Sequence, residues 1–148
     1  MSAAGQTTPL LTVANLRVAY PNREGGLSEV VRGVNFTLGR ERLAIVGESG
    51  SGKSQTGRAI LGLSSPGAVV TADALRFDGI ELLAAPPAER RALRGKRIAM
   101  VLQDPKFALD PVMSIGAQIA ETLHAHAGVR LRGAHQRSEE RRVGKECW

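Results

Sequence analysis

The stretch GESGSGKS at residues 47–54 constrains this chain more than any other feature of its sequence. Its glycines allow the backbone to curl so that successive N–H groups point towards an anion. The lysine and serine that end it supply an ammonium group for phosphates and a hydroxyl for a magnesium ion. We therefore predict that this phosphate loop binds the phosphates of a nucleoside triphosphate. The predicted contact residues are Gly47, Glu48, Ser49, Gly50, Ser51, Gly52, Lys53, Ser54 and Gln55.

The segments on either side of the phosphate loop fit that prediction. RLAIVG at residues 42–47 is a short, continuous apolar run, which is typical of a strand buried on both faces. KSQTGRAILGL at residues 53–63 has its apolar residues at helical spacing, and SSPG ends the helix. A helix that starts at the loop adds the positive end of its dipole to the site. The alternative, a glycine-rich turn without a ligand, is disfavoured by this strand–loop–helix order.

The remaining segments predict a mixed α/β sheet, because strands predominate early and alternate with helices later. Asp78-Gly79 is a strong signal for a tight hairpin. Ser114 is a candidate N-cap for the helix that follows it. We predict further strands at residues 10–20, 29–38 and 96–104, and further helices at residues 86–95 and 114–128.

The composition narrows the classes of function. The net charge is +6, with basic clusters such as residues 90–97, but aromatic residues make up only 3% of the chain. Few aromatic side chains are therefore present on which nucleic-acid bases could stack. We interpret the basic clusters as solvated surface and expect no nucleic-acid partner. The single cysteine, Cys147, excludes an intramolecular disulfide framework. Without an apolar run near the ~20 residues of a membrane span, or a secretory signal, we expect a soluble, cytoplasmic protein.

The phosphate loop and VLQDPKFALDPVMSIGAQIAE at residues 101–121 together resemble the ATP-binding cassette (ABC) transporter ATPases. Within that family they most resemble the subfamily that imports dipeptides, oligopeptides and sometimes nickel. The resemblance runs from about residue 11 to about residue 128, and it departs from the subfamily pattern at Asp110, where Asn is more usual. It implies an α/β fold: a phosphate-loop NTPase of the ABC ATPase type with an N-terminal antiparallel β subdomain, incomplete in this chain.

The resemblance also implies roles for individual residues, with ATP and Mg²⁺ as the cofactors. Lys53 and Gln103 are the implied catalytic residues, and Ser54 and Gln103 are the implied magnesium contacts. Tyr20 matches the aromatic residue that stacks on adenine. The simpler interpretations are an ordinary strand tyrosine at position 20 and a glutamine that merely ends a strand at position 103.

The implied partners are those of an importer. They are transmembrane permease subunits, a second ATPase subunit that is homologous or identical, and, indirectly, a periplasmic or extracellular solute-binding protein. Residues 105–127 would face the permease. The implied location is peripheral, at the cytoplasmic face of the inner membrane.

Several parts of an ABC ATPase are not found in this sequence. It contains no LSGGQ-like signature motif, no apolar run that ends in adjacent Asp and Glu, and no switch histidine after a strand. Asp104 follows an apolar run, but Gln103 intervenes and a proline follows, so we do not assign it to magnesium. We read His124, His126 and His135 as surface or packing residues. The chain is therefore expected to be catalytically incomplete.

Residues 137–147, RSEERRVGKEC, resemble the translation of a short-read sequencing adapter. The alternative is a natural helix end of mixed charge. We predict a disordered segment at residues 1–9, the N-terminal part of the ABC nucleotide-binding domain at residues 10–136, and a non-native tail at residues 137–148.

Two other classes of function remain open from the residues alone. A different phosphate-loop enzyme, such as a kinase or a GTPase, shares the loop, although the Asn-Lys-x-Asp guanine motif is not found. A binding fragment that holds ATP without hydrolysing it would also contain every residue named above.

Overall fold

The computed structural model describes residues 8–103 and 109–127 of the chain. The chain divides into two compact units, residues 1–94 and residues 95–148. Within the described ranges, the first unit contains a five-stranded sheet and two helices, and the second contains one helix. The predictions made for residues 1–7, Asp104, His135 and the tail at residues 137–148 lie outside the described residues.

A long antiparallel pair forms the centre of the sheet. Strand β1 spans Leu11–Pro21 and strand β2 spans Leu27–Leu38, which confirms both predicted strands. The connection between them is closed by Asn22, whose side-chain oxygen accepts hydrogen bonds from the N–H groups of Glu24 and Gly26. An asparagine that binds backbone groups two to four residues ahead makes a compact turn without an additional element.

The sheet is antiparallel throughout its described strands. Strands β3 (Val69–Thr71) and β4 (Ala74–Phe77) both pair with β1, and β5 (Ile80–Glu81) pairs with β4. The hairpin between β4 and β5 turns at Asp78 and Gly79, whose φ angles of 51° and 81° are both positive. Two positive φ angles match the twist of a two-residue hairpin, so the prediction from Asp-Gly is confirmed.

The core of the first unit lies along β1 and depends on a bulge in that strand. The pairing of β1 with β2 shifts register between Val13 and Leu16, around Asn15, whose φ is 49°. One extra residue returns the side-chain alternation to the same face, so Val13, Leu16 and Val18 are all buried. The Asn15 N–H donates to the Asn35 side-chain oxygen at 2.8 Å, which satisfies the bulged backbone.

Helix α1 spans Lys53–Leu61, so the predicted helix is confirmed but ends two residues earlier than residue 63. Gly62 adopts the left-handed conformation, with φ 63°, and its N–H donates to the Ala59 carbonyl. The Leu63 N–H donates to the Arg58 carbonyl at 2.8 Å. These two hydrogen bonds satisfy carbonyl groups in the last turn of α1 and so terminate the helix. Glycine takes the left-handed conformation at this position without a steric penalty.

Helix α2 spans Pro87–Leu93, inside the segment predicted to be helical, and it begins with a proline in its first turn. The missing N–H of proline is harmless there, because the first turn of a helix has no internal acceptor for it. Leu93 is the buried residue of the helix. Just beyond it, an Arg94 guanidinium nitrogen donates to the Leu61 carbonyl at 3.1 Å and so binds the C-terminal end of α1.

Two predicted strands are wrong. The described residues 42–48 contain no strand, and neither do residues 96–103. Val46 and Val101 are 88% and 96% exposed, and the other apolar side chains of the two segments are exposed or half-buried. A strand buried on both faces needs neighbouring strands and covering helices, and no described strand pairs with either segment.

Helix α3, Ile115–Ala127, is the described helix of the second unit. The Ala117 N–H donates to the Ser114 hydroxyl at 3.2 Å, which confirms the predicted N-cap. Gln118 stabilises the turn before α3, because its side-chain amide nitrogen donates to the carbonyl oxygens of Asp110 and Met113. Among the described residues, no helix is both long enough and apolar enough to cross a membrane.

Candidate nucleotide-binding site

The phosphate loop, residues 47–54, follows the exposed residues 42–46 and includes the start of α1. Ser49 and Gly50 form a turn that the Ser51 N–H closes by donating to the Glu48 carbonyl at 3.2 Å. Gly50 and Gly52 have φ angles of 82° and 88°, in the left-handed region. The loop therefore curls as its glycine content predicted.

Gly52 holds the loop against strand β2. A β-carbon on Gly52 would lie 2.6 Å from the Val30 carbonyl oxygen and 3.1 Å from a Val31 methyl group. The backbone of β2 thus approaches the loop too closely for any side chain at this position. The sequence motif predicted a glycine here for curvature, whereas the structure adds a second reason, the packing of the loop on β2.

The Lys53 ammonium group lies over the loop. It donates to the carbonyl oxygens of Gly47 at 2.7 Å and Glu48 at 2.6 Å, and to the Ser51 hydroxyl at 3.2 Å. All three acceptors are neutral, so they hold the ammonium group in place without cancelling its charge. A cation held in this way attracts an anion to the loop.

The start of α1 adds to the positive potential of the loop. Gly52 is the N-cap of the helix, and in the described structure no side chain caps the helix at this position. The first turn also carries no acidic residue. The partial positive charge of the helix terminus is therefore open to an external anion. Ser54 is exposed in that turn, and its hydroxyl oxygen is the type of ligand that Mg²⁺ prefers.

Tyr20 and Gln55 are brought together by the fold. The Tyr20 hydroxyl donates to the Gln55 side-chain oxygen at 2.9 Å, and both residues are half-buried. This bond joins the end of β1 to the first turn of α1. The two residues are 35 positions apart, and a contact at that separation leaves no periodic signal in one sequence.

Gln103 belongs to the second unit, where its side chain is exposed. Its role as a contact of magnesium and of the attacking water stays a prediction. His124 and His126 occupy exposed positions on α3, as expected for surface residues. Within residues 8–103 and 109–127, no group of three or more His, Cys, Asp or Glu residues is arranged to hold a metal ion.

Comparison with known proteins gives a consistent result. Residues 31–145 match the family model described as ABC transporter, so the match includes most of residues 137–147. A putative peptide import ATP-binding protein of Brucella abortus (strain 2308) is 43% identical over 141 residues, covering 95% of this chain and 42% of that protein. The oligopeptide transport ATP-binding protein of Haemophilus influenzae is 45% identical over 121 residues, which cover 81% of this chain and 37% of that relative.

A third relative agrees with these two. The oligopeptide transport ATP-binding protein of Bacillus subtilis is 41% identical over 138 residues, covering 91% of this chain and 38% of that protein. The chain thus spans about two fifths of the length of the relatives it matches. The extent of the family match and these identities show that the chain belongs to the ABC transporter family, as its phosphate loop and residues 101–121 had implied.

Proposed function

We propose that this chain is the N-terminal part of an ATP-binding subunit of an ABC importer for peptides. The observation that carries the proposal is the Lys53 ammonium group, which three neutral oxygens hold over the phosphate loop at the open start of α1. A half-buried cation beside a positive helix terminus suits the phosphates of a nucleotide. The names of the relatives support a peptide as the cargo, because each is named a peptide import or an oligopeptide transport ATP-binding protein.

Each side chain of the site has a separate task in this proposal. Lys53 turns from the loop oxygens to the outer phosphates, and the backbone N–H groups of the loop bind the inner ones. The Ser54 hydroxyl would bind Mg²⁺, which supplies charge neutralisation between the phosphates. The face of the Tyr20 ring stacks on the adenine. In the intact subunit, the resemblance further implies that Gln103 contacts the magnesium ion and orients the water that attacks the terminal phosphate.

We propose that the chain as it stands binds ATP but does not turn it over. The sequence contains neither the signature motif nor the adjacent Asp and Glu nor the switch histidine of the family. Phosphoryl transfer requires these groups to act as a unit, and the loss of several members removes far more than a proportional share of the rate. In the intact transporter, the ATPase domains of two subunits would enclose ATP and drive the permease.

The partners follow from the same proposal. They are transmembrane permease subunits, a second ATPase subunit and, indirectly, a solute-binding protein outside the membrane. The subunit would lie peripherally at the cytoplasmic face of the membrane, with residues 105–127 towards the permease.

A non-hydrolysing nucleotide-binding fragment is the second candidate function. The predicted strands at residues 42–47 and 96–104 favour it, because their described residues pair with no described strand. Both candidates predict that this chain binds ATP without turnover, so the reading frame beyond the codon for Gln136, tested by sequencing below, separates them.

The test measures binding of ATP with Mg²⁺ to the 148-residue chain by isothermal titration calorimetry, beside its Lys53→Ala and Lys96→Ala variants. We expect Lys53→Ala to weaken binding about 10- to 100-fold, the value of losing a charge-assisted hydrogen bond or two. Lys96→Ala removes an equal charge from an exposed position outside the loop and should bind as the unmodified chain does. Equal affinity of all three chains would contradict nucleotide binding at the loop. Phosphate release above the Lys53→Ala level would contradict the lack of turnover.

We further propose that residues 10–136 are the native part of the domain and that residues 137–148 are a non-native tail. The support is the resemblance of residues 137–147 to a translated adapter, against which stands the family match that reaches residue 145. Sequencing the source DNA in long reads across the codons for Gln136 and Arg137 decides the matter. A frame that continues into an LSGGQ-like motif would support the proposal, and a frame that encodes RSEERRVGKECW would contradict it.

A further inference from the structure

The hydrogen bond between Tyr20 and Gln55 ties together the two ends of the proposed nucleotide site. Tyr20 lies at the end of β1, opposite Ser28 of β2, and Gln55 lies two residues after Lys53 in the first turn of α1. The donor–acceptor distance of 2.9 Å is longer than usual for a hydroxyl donor but within the accepted range. Both side chains are half-buried, so water competes for the bond only in part.

The bond fixes the tyrosine ring at both of its ends. The strand holds the Cβ end of Tyr20, and the Gln55 amide oxygen holds the hydroxyl end. A phenol ring with both ends held can rotate about only one axis, so its position relative to the phosphate loop is set. Stacking on a base requires a ring at a defined distance from the phosphates, because the base and phosphates of one nucleotide are covalently joined.

Gln55 is suited to this task because it belongs to the same helical turn as Lys53 and Ser54. Any shift of α1 that moved the phosphate contacts would also move the acceptor of the tyrosine hydroxyl. We propose that Gln55 is a positioning residue that orients Tyr20 for the nucleotide base and keeps the ring in register with the phosphate loop. This inference rests on the proposed binding of ATP.

Gln55 is also a predicted phosphate contact, but its side-chain oxygen is bonded to the Tyr20 hydroxyl. The proposal therefore assigns the side chain to Tyr20 and leaves the phosphate contact to the backbone N–H, which a side-chain substitution does not remove. Removing the hydroxyl with Tyr20→Phe and removing the acceptor with Gln55→Met should then have the same effect, since each breaks the same bond. Methionine keeps the length and the helix preference of glutamine, so the helix itself should be little disturbed. The double variant should lose no more than either single variant, because the bond can be broken only once.

A spectroscopic measurement tests the bond before any ligand is added. Tyr20 is the only tyrosine of the chain, so the tyrosine bands of ultraviolet resonance Raman spectra report on it alone. Gln55→Met should shift the bands that respond to hydrogen bonding of the phenol. Unchanged bands would overturn the proposal, because the hydroxyl would then not be bound to Gln55.

The decisive test compares ATP with inorganic tripolyphosphate, which has the phosphates but no base. On the 148-residue chain, Tyr20→Phe, Gln55→Met and the double variant should each bind ATP about three- to tenfold more weakly, the range for one hydrogen bond. Binding of tripolyphosphate should stay within about twofold for all of them. Three results would overturn the inference: Gln55→Met binds ATP normally, it weakens both ligands equally, or the two single losses multiply in the double variant. If the unmodified chain binds neither ligand, the proposed function has failed, and this inference fails with it.

Discussion

At the scale of the residue, Gly50 and Gly52 share a left-handed backbone but differ in their surroundings. Nothing lies within 4 Å of a β-carbon placed on Gly50, whereas one on Gly52 meets the Val30 carbonyl oxygen at 2.6 Å. The two positions therefore separate the cost of backbone conformation from the cost of a steric clash with β2.

We predict that Gly50→Ala lowers the free energy of unfolding by about 1–2 kcal/mol, the cost of a left-handed alanine. Gly52→Ala should cost at least about 1 kcal/mol more, because the clash with β2 adds to the same backbone strain. Urea denaturation of both variants, followed by circular dichroism, measures the difference. Equal losses would show that β2 moves aside freely, so that the close approach at Gly52 has no energetic weight.

Lys53 shows which part of a residue's surroundings depends on the fold. The motif predicts a lysine that reaches phosphates, and this contact stays a prediction. The structure adds the hydrogen bonds of its ammonium group to Gly47, Glu48 and Ser51. Only the folded loop places these three oxygens around the ammonium group.

At the scale of the element, α3 depends on a side chain that the sequence identified. The Ser114 hydroxyl accepts from the Ala117 N–H, one of the four N–H groups that have no acceptor inside the helix. The first turn of α3 carries no acidic residue that could assist the cap.

We predict that Ser114→Ala destabilises α3 by about 1 kcal/mol, the typical cost of losing a serine cap. Hydrogen exchange of the amides of Ile115–Ala127 should accelerate about fivefold, whereas the amides of Lys53–Leu61 in the first unit provide an unchanged internal control. Ser114→Asp restores an acceptor at the same place and should exchange as the unmodified chain does. Equal exchange for the alanine and aspartate variants would show that the hydroxyl is dispensable.

At the scale of the whole molecule, the chain exposes apolar segments that a complete sheet would cover. Val46 and Val101 are 88% and 96% exposed, and Leu43 and Ile45 are about half exposed. The chain spans about two fifths of the length of its relatives, so most of the corresponding sequence lies beyond it in those proteins. Exposed apolar runs of this kind promote self-association.

We predict that Val46→Lys changes the free energy of unfolding by no more than about 0.5 kcal/mol, as expected for an exposed position. It should also reduce self-association, measured by sedimentation velocity over a range of concentrations. Val18→Lys is the matched control: Val18 is fully buried, so the same substitution should prevent folding of the sheet. Strong destabilisation by Val46→Lys would mean that segment 42–48 packs against the chain in solution.

The predictions that depend on residues close together in the sequence were correct, and those that depend on distant strand partners were wrong. The β1 and β2 strands, the Asp78-Gly79 hairpin, the Ser114 cap and the helix after the phosphate loop were all predicted correctly. Each depends on residues close together in sequence or on an alternation within one strand. The strands at residues 42–47 and 96–104 were wrong because an apolar run needs partners that its own residues do not supply.

The sequence by itself determined the chemistry of the loop: which residues curl, which one carries the cation and which one offers a hydroxyl. These properties belong to residue types at fixed spacing within eight positions. Only the tertiary structure decided that β2 lies against Gly52 and that Tyr20 meets Gln55. The physical reason is that these contacts join positions about 20 and 35 residues apart, whose approach depends on how the strands pair and where α1 packs on them.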